Sequence, residues 1–266
     1  MRILFRISFL LLFFRMHSAF SQQALGVNPA ENPHSLALQA VQEDRLGEAC
    51  PQYREWKEQL RDRPAIHLSN LQQEVVYQAL LCGLRHAEPL AAEEALLFLA
   101  SAPVRAQKDR MHAALADYYF RTRQWVSCIE QYGQADIVHF TNPEIAKAQF
   151  QQGYAHFVLQ QFKEARIFFN SVRSLADDPH RPDATYYYGL LLVKERNWEE
   201  ALLQMRLVET DPTYAPYVSY HIARLLFSLG KSQEAILYAQ SVLERSPQRR
   251  PMSKPNCAAR ATTSWC

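Results

Sequence analysis

The stretch Tyr186-Tyr187-Tyr188-Gly189-Leu190-Leu191-Leu192, followed by Trp198, Ala201, Met205 and Pro212, is answered by a second copy ending at Pro247. There Ile222-Ala223 precedes Leu226, then come Gly230, Ser232, Ala235 and Ala239. Ala201 and Ala235 are 34 residues apart. A small residue in each of two consecutive helices lets them approach closely, while larger apolar residues at i, i+3 and i+4 fill the seam around them. Gly189 with Ala201 and Ala223 with Ala235 are read as such pairs. Between the helices Asn197 stands three residues before Glu200, the order of a capping box. Each copy is therefore a helical hairpin. One hairpin cannot bury its own apolar face, so the copies must stack into a solenoid.

Working back from this pair, the small residue of the second helix recurs at Ala165, Cys128, Ala91 and Ala49. Gly153 and Ala116 are the matching small residues of the two preceding first helices. Phe162 and Phe169 fill one of these units, and Tyr119, Trp125 and Tyr132 the other. Asn142-Pro143 is read as a helix cap followed by proline at the first helical position. The unit around Ala79, Cys82 and Ala91 has its turn blurred by Pro89. The unit around Ala49, Tyr53 and Trp56 takes its phase from the others.

A period of about 34 residues with this order of large, small, aromatic, small and proline is that of the tetratricopeptide repeat. Residues 34 to 247 resemble that family over six repeats, four of them distinct. The resemblance implies an all-α, right-handed superhelical solenoid of helix-turn-helix repeats. The phrases Ala184 to Gly189 and Gly153 to Phe157, with the exported start, resemble the long repeat proteins of bacterial cell envelopes. Those continue with further repeats, so the array is expected to be truncated at Pro247. Residues 248 to 266, with Pro251, Pro255 and clustered cations, read as a disordered tail.

The start carries its own signal. Arg2 and Arg6 precede an apolar run from Ile7 to Phe14, and Ala19-Phe20-Ser21 places small residues where a signal peptidase inspects them. Residues 1 to 21 are thus expected to be an export signal cleaved before Gln22, with 22 to 33 a linker and the mature protein in the periplasm or cell envelope. The chain is 48% hydrophobic with only 7 Gly, which suits a packed helical core better than a sheet with tight turns. Its net charge of +2 rests on cations at the two ends, leaving the body acidic; this argues against a nucleic-acid partner.

Chemistry is harder to find. No GxSxG, HExxH, phosphate-binding glycine loop or calcium loop occurs, so no catalytic residues, metal or cofactor are assigned and no small-molecule substrate is expected. The carboxylate pairs Glu93-Glu94, Asp177-Asp178 and Glu199-Glu200 are sequence neighbours, which do not face one another on a helix. The nine histidines fall at different phases. The five cysteines match no zinc or CxxC spacing and are odd in number; Cys128 stands where the repeat wants a small residue and is read as packing, and a structural disulfide framework is not expected.

What remains is a surface. In the resembling family the first helices line the concave face, and a 4-and-3 spacing along each of them makes one stripe. Here that stripe holds Phe120, then Phe150, Tyr154 and Phe157, then Tyr186, then Tyr220, Arg224 and Phe227, with Lys194 close by. Aromatic residues and Arg dominate binding hot spots, so these are the expected contacts for a protein or peptide partner. The function expected is a non-enzymatic interaction scaffold. The alternative is a structural spacer in a larger assembly. The two differ in the stripe: a ligand face keeps it exposed, a spacer buries it.

Overall fold

The computed structural model describes residues 46–60, 70–101 and 104–245. The export segment, the linker, the first helix expected around Leu36, the tail, and Cys257 and Cys266 lie outside the described residues. Among the described residues there are eleven α-helices, one short 3₁₀ turn and no strand. The chain divides into two compact units between Ser101 and Ala102.

The first unit contains α1 (Leu46–Leu60), α2 (Asn70–Arg85) and α3 (Ala91–Ser101). Ala49 and Tyr53 of α1 pack with Val75 and Ala79 of α2, and Tyr77, Leu80, Leu84, Ala91 and Ala95 are buried as well. A disulfide and two ion pairs add to that core. Cys50 and Cys82 form a disulfide with Cα atoms 5.5 Å apart, which corrects the expectation of no structural disulfide. Their 32-residue separation carries no signature; only the antiparallel docking of α1 on α2 brings them opposite. Arg54 and Lys57 of α1 form ion pairs with Glu88 and Glu94.

The second unit is four helical hairpins: α4 (Arg105–Arg121) with α5 (Trp125–Gln134), α6 (Asn142–Val158) with α7 (Phe162–Arg173), α8 (Arg181–Lys194) with α9 (Trp198–Leu207), and α10 (Ala215–Ser228) with α11 (Ser232–Arg245). The small anchor is the fourth residue of each second helix, and Cys128, Ala165 and Ala201 are fully buried, with Ala235 8% exposed. Ala116, Gly153 and Gly189 are buried too, whereas Ala223 is only half-buried. The glycines do not face the anchors themselves. A Cβ on Gly153 would lie 2.9 Å from the Phe169 ring, and one on Gly189 would lie 2.9 Å from Cε of Met205. Each glycine thus makes room for the bulky residue one turn beyond the anchor, a correction to the pairing read from spacing.

Four turns join the hairpins in one way. Arg123, Gln160, Arg196 and Gly230 have φ of 62, 62, 60 and 76°. At each, the next backbone N–H donates to a carbonyl five residues back (Gln124 to Tyr119, Gln161 to His156, Asn197 to Leu192, Lys231 to Leu226). That is the Schellman closure of a helix, and it needs the left-handed residue. The expected capping box at Asn197 is absent: its side-chain amide donates to Glu200 and leaves the backbone uncapped by a side chain. The cap of α6 is Thr141, one residue before the expected Asn142; Glu144 accepts from its backbone N–H at 2.7 Å and from its hydroxyl at 2.9 Å.

Candidate functional site

The first helices α4, α6, α8 and α10 place Phe120, Phe150, Tyr154, Phe157, Tyr186 and Tyr220 of the expected stripe in a linked run of rings. Phe120 lies edge-on to Trp125 (5.6 Å) and to Tyr154 (5.5 Å). Tyr154 meets Tyr187 at 5.0 Å and Phe157 meets Tyr187 at 5.5 Å. Tyr186 stacks on Tyr214 at 4.5 Å and touches His221, which in turn touches Tyr220. Edge-to-face and offset stacked pairs of this kind contribute about 0.5–1.5 kcal/mol each beyond their burial.

Exposure divides the run into three grades. Phe150 is completely buried, stacked on His180 and packed on Phe169 and Tyr187, so it is a core residue and not a surface contact as expected. Phe120, Tyr154, Phe157 and Tyr186 are half-buried. Tyr220 and Phe227 are 63% and 69% exposed, and Arg224 between them is exposed as well. Lys194 stands with its ammonium 5.0 Å from the centre of the Phe162 ring, on its own repeat's turn and apart from Arg224 in sequence and helix.

Several residues here escaped the sequence reading. Tyr187, only 8% exposed, is the hub on which Phe150, Tyr154, Phe157 and Phe169 converge. Three consecutive tyrosines point in directions about 100° apart on a helix, so periodicity alone could not choose the buried one. Asp183 of α8 accepts from the Tyr214 hydroxyl at 2.5 Å, tying α8 to the start of α10. A second tie of the same kind joins α4 to the loop before α6. The buried Asp109 carboxylate holds the Asp136 N–H at 3.1 Å and the His139 ring at 2.8 Å.

Polar groups beside the run form a satisfied network. Asp117 accepts from Lys147 (2.7 Å), Gln151 (2.9 Å) and Arg121 (3.2 Å), and Gln151 in turn accepts from the buried Tyr132 hydroxyl. Burial pushes the Asp117 carboxyl up, but the Lys147 charge and these hydrogen bonds outweigh it and hold the group below the ordinary carboxylate value. Burial and the Asp117 charge push the Cys128 thiol up to about 12, leaving it a packing residue without nucleophilic character at neutral pH. His221 is held below the ordinary histidine value by burial and by the neighbouring Arg224, so it faces the run as a neutral ring. Among the described residues no group of three or more His, Cys, Asp or Glu could hold a metal ion, and no helix is long and apolar enough to cross a membrane.

This is the architecture of one class: an all-α array of stacked helical hairpins. The sequence model of the tetratricopeptide repeat family matches residues 217–249, which span α10, its turn and α11. The chain is a helical repeat protein, and its last described hairpin matches that repeat. Solved structures show the same fold. One is a tetratricopeptide repeat protein from Parabacteroides merdae, 16% identical, with a TM-score of 0.51 over 82% of this chain and 79% of that one. Another is the apo form of RapI, 14% identical, with a TM-score of 0.53 over 81% of this chain and 66% of that one. No curated protein matches the sequence. Tetratricopeptide repeat proteins generally mediate protein–protein interaction, and the fold is typically a scaffold without catalysis.

Proposed function

We propose that this protein is an exported interaction scaffold of the bacterial envelope that holds a protein or peptide partner on the concave face of its array, centred on α10. The observation that carries the reading is the exposed row Tyr220, Arg224 and Phe227. Large exposed aromatics flanking a cation are the residue types that dominate binding hot spots, and Arg can hold a partner carboxylate through two parallel hydrogen bonds. Half-buried Tyr154 and Tyr186 extend the row as a wall whose rings are already ordered, so contact with them costs little further entropy. Export is supported by the charge and apolar pattern of residues 1–21 and by the Cys50–Cys82 disulfide, because such bonds persist in oxidising compartments.

The spacer reading draws on a different part of the run. From Phe120 to Tyr187 the rings pack on one another, which fits a rigid connector better than an open groove. The two readings separate on one experiment. The mature chain and its Tyr220→Ala/Arg224→Glu variant are compared for cross-linked partners after expression in a bacterial periplasm. Binding at α10 gives partners that the variant loses at least tenfold with its helix content unchanged. Equal capture by both proteins overturns the placement of the site, and recovery of an intact Met1 form from the cytosol overturns the export.

A further inference from the structure

The proposed site holds a titratable side chain one of whose ring nitrogens finds no partner. His221 of α10 lies with its ring centre 6.1 Å from that of Tyr186 on α8 and 5.6 Å from that of Tyr220. Its Nδ1 is enclosed and meets no hydrogen-bond partner. Arg224 stands three residues further along the same helix, a spacing that brings two side chains together on one face.

No acid offsets these two groups. Ala215–Ser228 contains neither Asp nor Glu, and among the described residues no carboxylate pairs with Arg224. Carboxylates on the neighbouring segments are engaged elsewhere. Asp183 of α8 holds the Tyr214 hydroxyl, and Glu200 of α9 takes the Asn197 amide. Glu209 accepts from Tyr238 and pairs with Arg206, Asp211 holds the N–H groups of Thr213 and Tyr214, and Glu234 of α11 faces Lys231. Glu199 of α9 and Glu244 of α11 are exposed. Of the cations, Lys194 rests on Phe162 and Arg245 bonds Ser241. Among the described residues the charge that acts on the His221 ring is that of Arg224.

A proton added to His221 therefore sits beside a like charge, and its Nδ1–H has no acceptor. A carboxylate bound to Arg224 cancels the opposing cation and adds an anion close to the ring. Protonation and anion binding then favour each other, and the coupling is equal read from either side. We propose that the α10 site takes an acidic peptide segment with uptake of a proton at His221, so that it grips its partner more tightly as pH falls. This rests on the reading of α10 as the partner site and adds to it the charge of the partner and the control of its release. The sign follows from the two states of the ring. Without a partner it is held below the ordinary histidine value by burial and then by Arg224; with the carboxylate in place that value rises. Affinity is constant above the value in the complex, climbs as pH falls through the window between the two, and levels off below the value of the free protein. The largest gain is about tenfold for each pH unit that separates them.

The test uses the full chain and C-terminally amidated peptides selected on it from a random dodecapeptide library. Binding is measured at about pH 5.5 and about pH 8, a range in which Asp and Glu side chains stay ionised while histidine changes charge. The expected binders carry Asp or Glu, and Arg224→Glu weakens them at least tenfold at both pH values. They bind the parent at least threefold more tightly at the lower pH and bind His221→Phe, which keeps a ring against Tyr186 and Tyr220 but takes no proton, equally at the two. If His221→Phe loses helix content, His221→Gln makes the same comparison. In the parent, the His221 Cε1 proton should titrate at higher pH with peptide bound than without. Binders whose affinity is the same at both pH values, or changes as much in the His221 variant as in the parent, overturn the proton coupling and leave the partner site at α10 in place. Binders without Asp or Glu overturn the acidic partner. A selection in which Arg224→Glu weakens no binder overturns the α10 site and this inference with it.

Discussion

The two units are built from the same helical hairpin but are fastened differently. In the second, α6 to α9 are joined by a core that runs without interruption from Phe150 through Phe169, Tyr187 and Leu192 to Met205. In the first, Ala49 and Tyr53 of α1 pack with Val75 and Ala79 of α2, a disulfide joins the two helices, and ion pairs tie α1 to Glu88 and to Glu94 of α3. The difference teaches that a repeat pattern specifies the geometry of a hairpin and not the source of its stability. Where large apolar residues fill the seam, burial at about 25 cal/mol per Å² suffices. In the first unit a covalent bond supplements it.

The largest effect is expected from breaking the packed unit at its tightest point. Ala201 is fully buried in the core. Ala201→Arg overpacks that seam, at about 1–3 kcal/mol, and an unpaired buried charge adds several more. Cooperative unfolding of α8 to α11 should be lost in a thermal melt followed by circular dichroism, while the first unit is untouched. An unchanged midpoint would remove Ala201 from the seam.

The covalent fastening ranks next. Closing a loop with the 32-residue separation of Cys50 and Cys82 is worth about 3–4 kcal/mol in the chain-entropy account. Reduction, or Cys50→Ser/Cys82→Ser, should lower hydrogen-exchange protection of α1 to α3 at least a hundredfold and leave α6 to α9 unchanged. Cys128, buried and with its thiol pushed up to about 12, should stay unmodified by iodoacetamide in the folded protein throughout. Loss of protection in both units alike would mean that the first is not held by its own bond.

These two sites mark where the sequence was and was not legible. The anchors Ala49, Ala91, Cys128, Ala165, Ala201 and Ala235 could be found without a structure, because close helix approach admits few residue types and recurs at steps of 34 to 42 residues. Each is buried. The cysteine pair could not: Cys82 sits on a first helix and Cys50 on a second, and nothing in their spacing encodes that α1 and α2 dock side by side. In the stripe, residue types were legible and exposure was not. Phe150 and Tyr220 occupy equivalent positions, yet one is fully buried and the other 63% exposed, because exposure depends on whether the next hairpin covers the position.

Smaller changes sharpen the account of the packed unit. Gly153 and Gly189 are equivalent, and each would place a new Cβ 2.9 Å from its neighbour. At Gly153 the neighbour is two atoms of the Phe169 ring, with Phe168 Cβ at 3.1 Å behind; at Gly189 it is the free end of Met205. A ring locked in the core cannot give way, whereas a thioether terminus can rotate. Gly153→Ala should therefore cost about 1–3 kcal/mol and Gly189→Ala under about 1 kcal/mol in denaturant melts. Equal costs would show that the Phe169 ring moves as freely as the methionine.

The smallest effect concerns the turns, which both units share. Arg123, Gln160 and Arg196 hold the left-handed conformation that Gly230 adopts without a Cβ, and Ala87 does so at the end of α2, where Glu88 donates back to Gly83. A Cβ in that conformation costs about 1–2 kcal/mol per residue. Glycine removes that cost but gives the unfolded chain more freedom, worth about 0.4–1 kcal/mol against folding. The net expectation for Arg196→Gly is a stabilisation of about 0.5–1 kcal/mol, and for Gly230→Ala a loss of similar size. Gly230 is the cleaner arm, since nothing lies within 4 Å of where its Cβ would stand and only the backbone term can act. Chemical denaturation of each variant decides the matter. If Arg196→Gly destabilises while Gly230→Ala is neutral, the Schellman closure does not set the turn energy, and side-chain contacts made by Arg196 do.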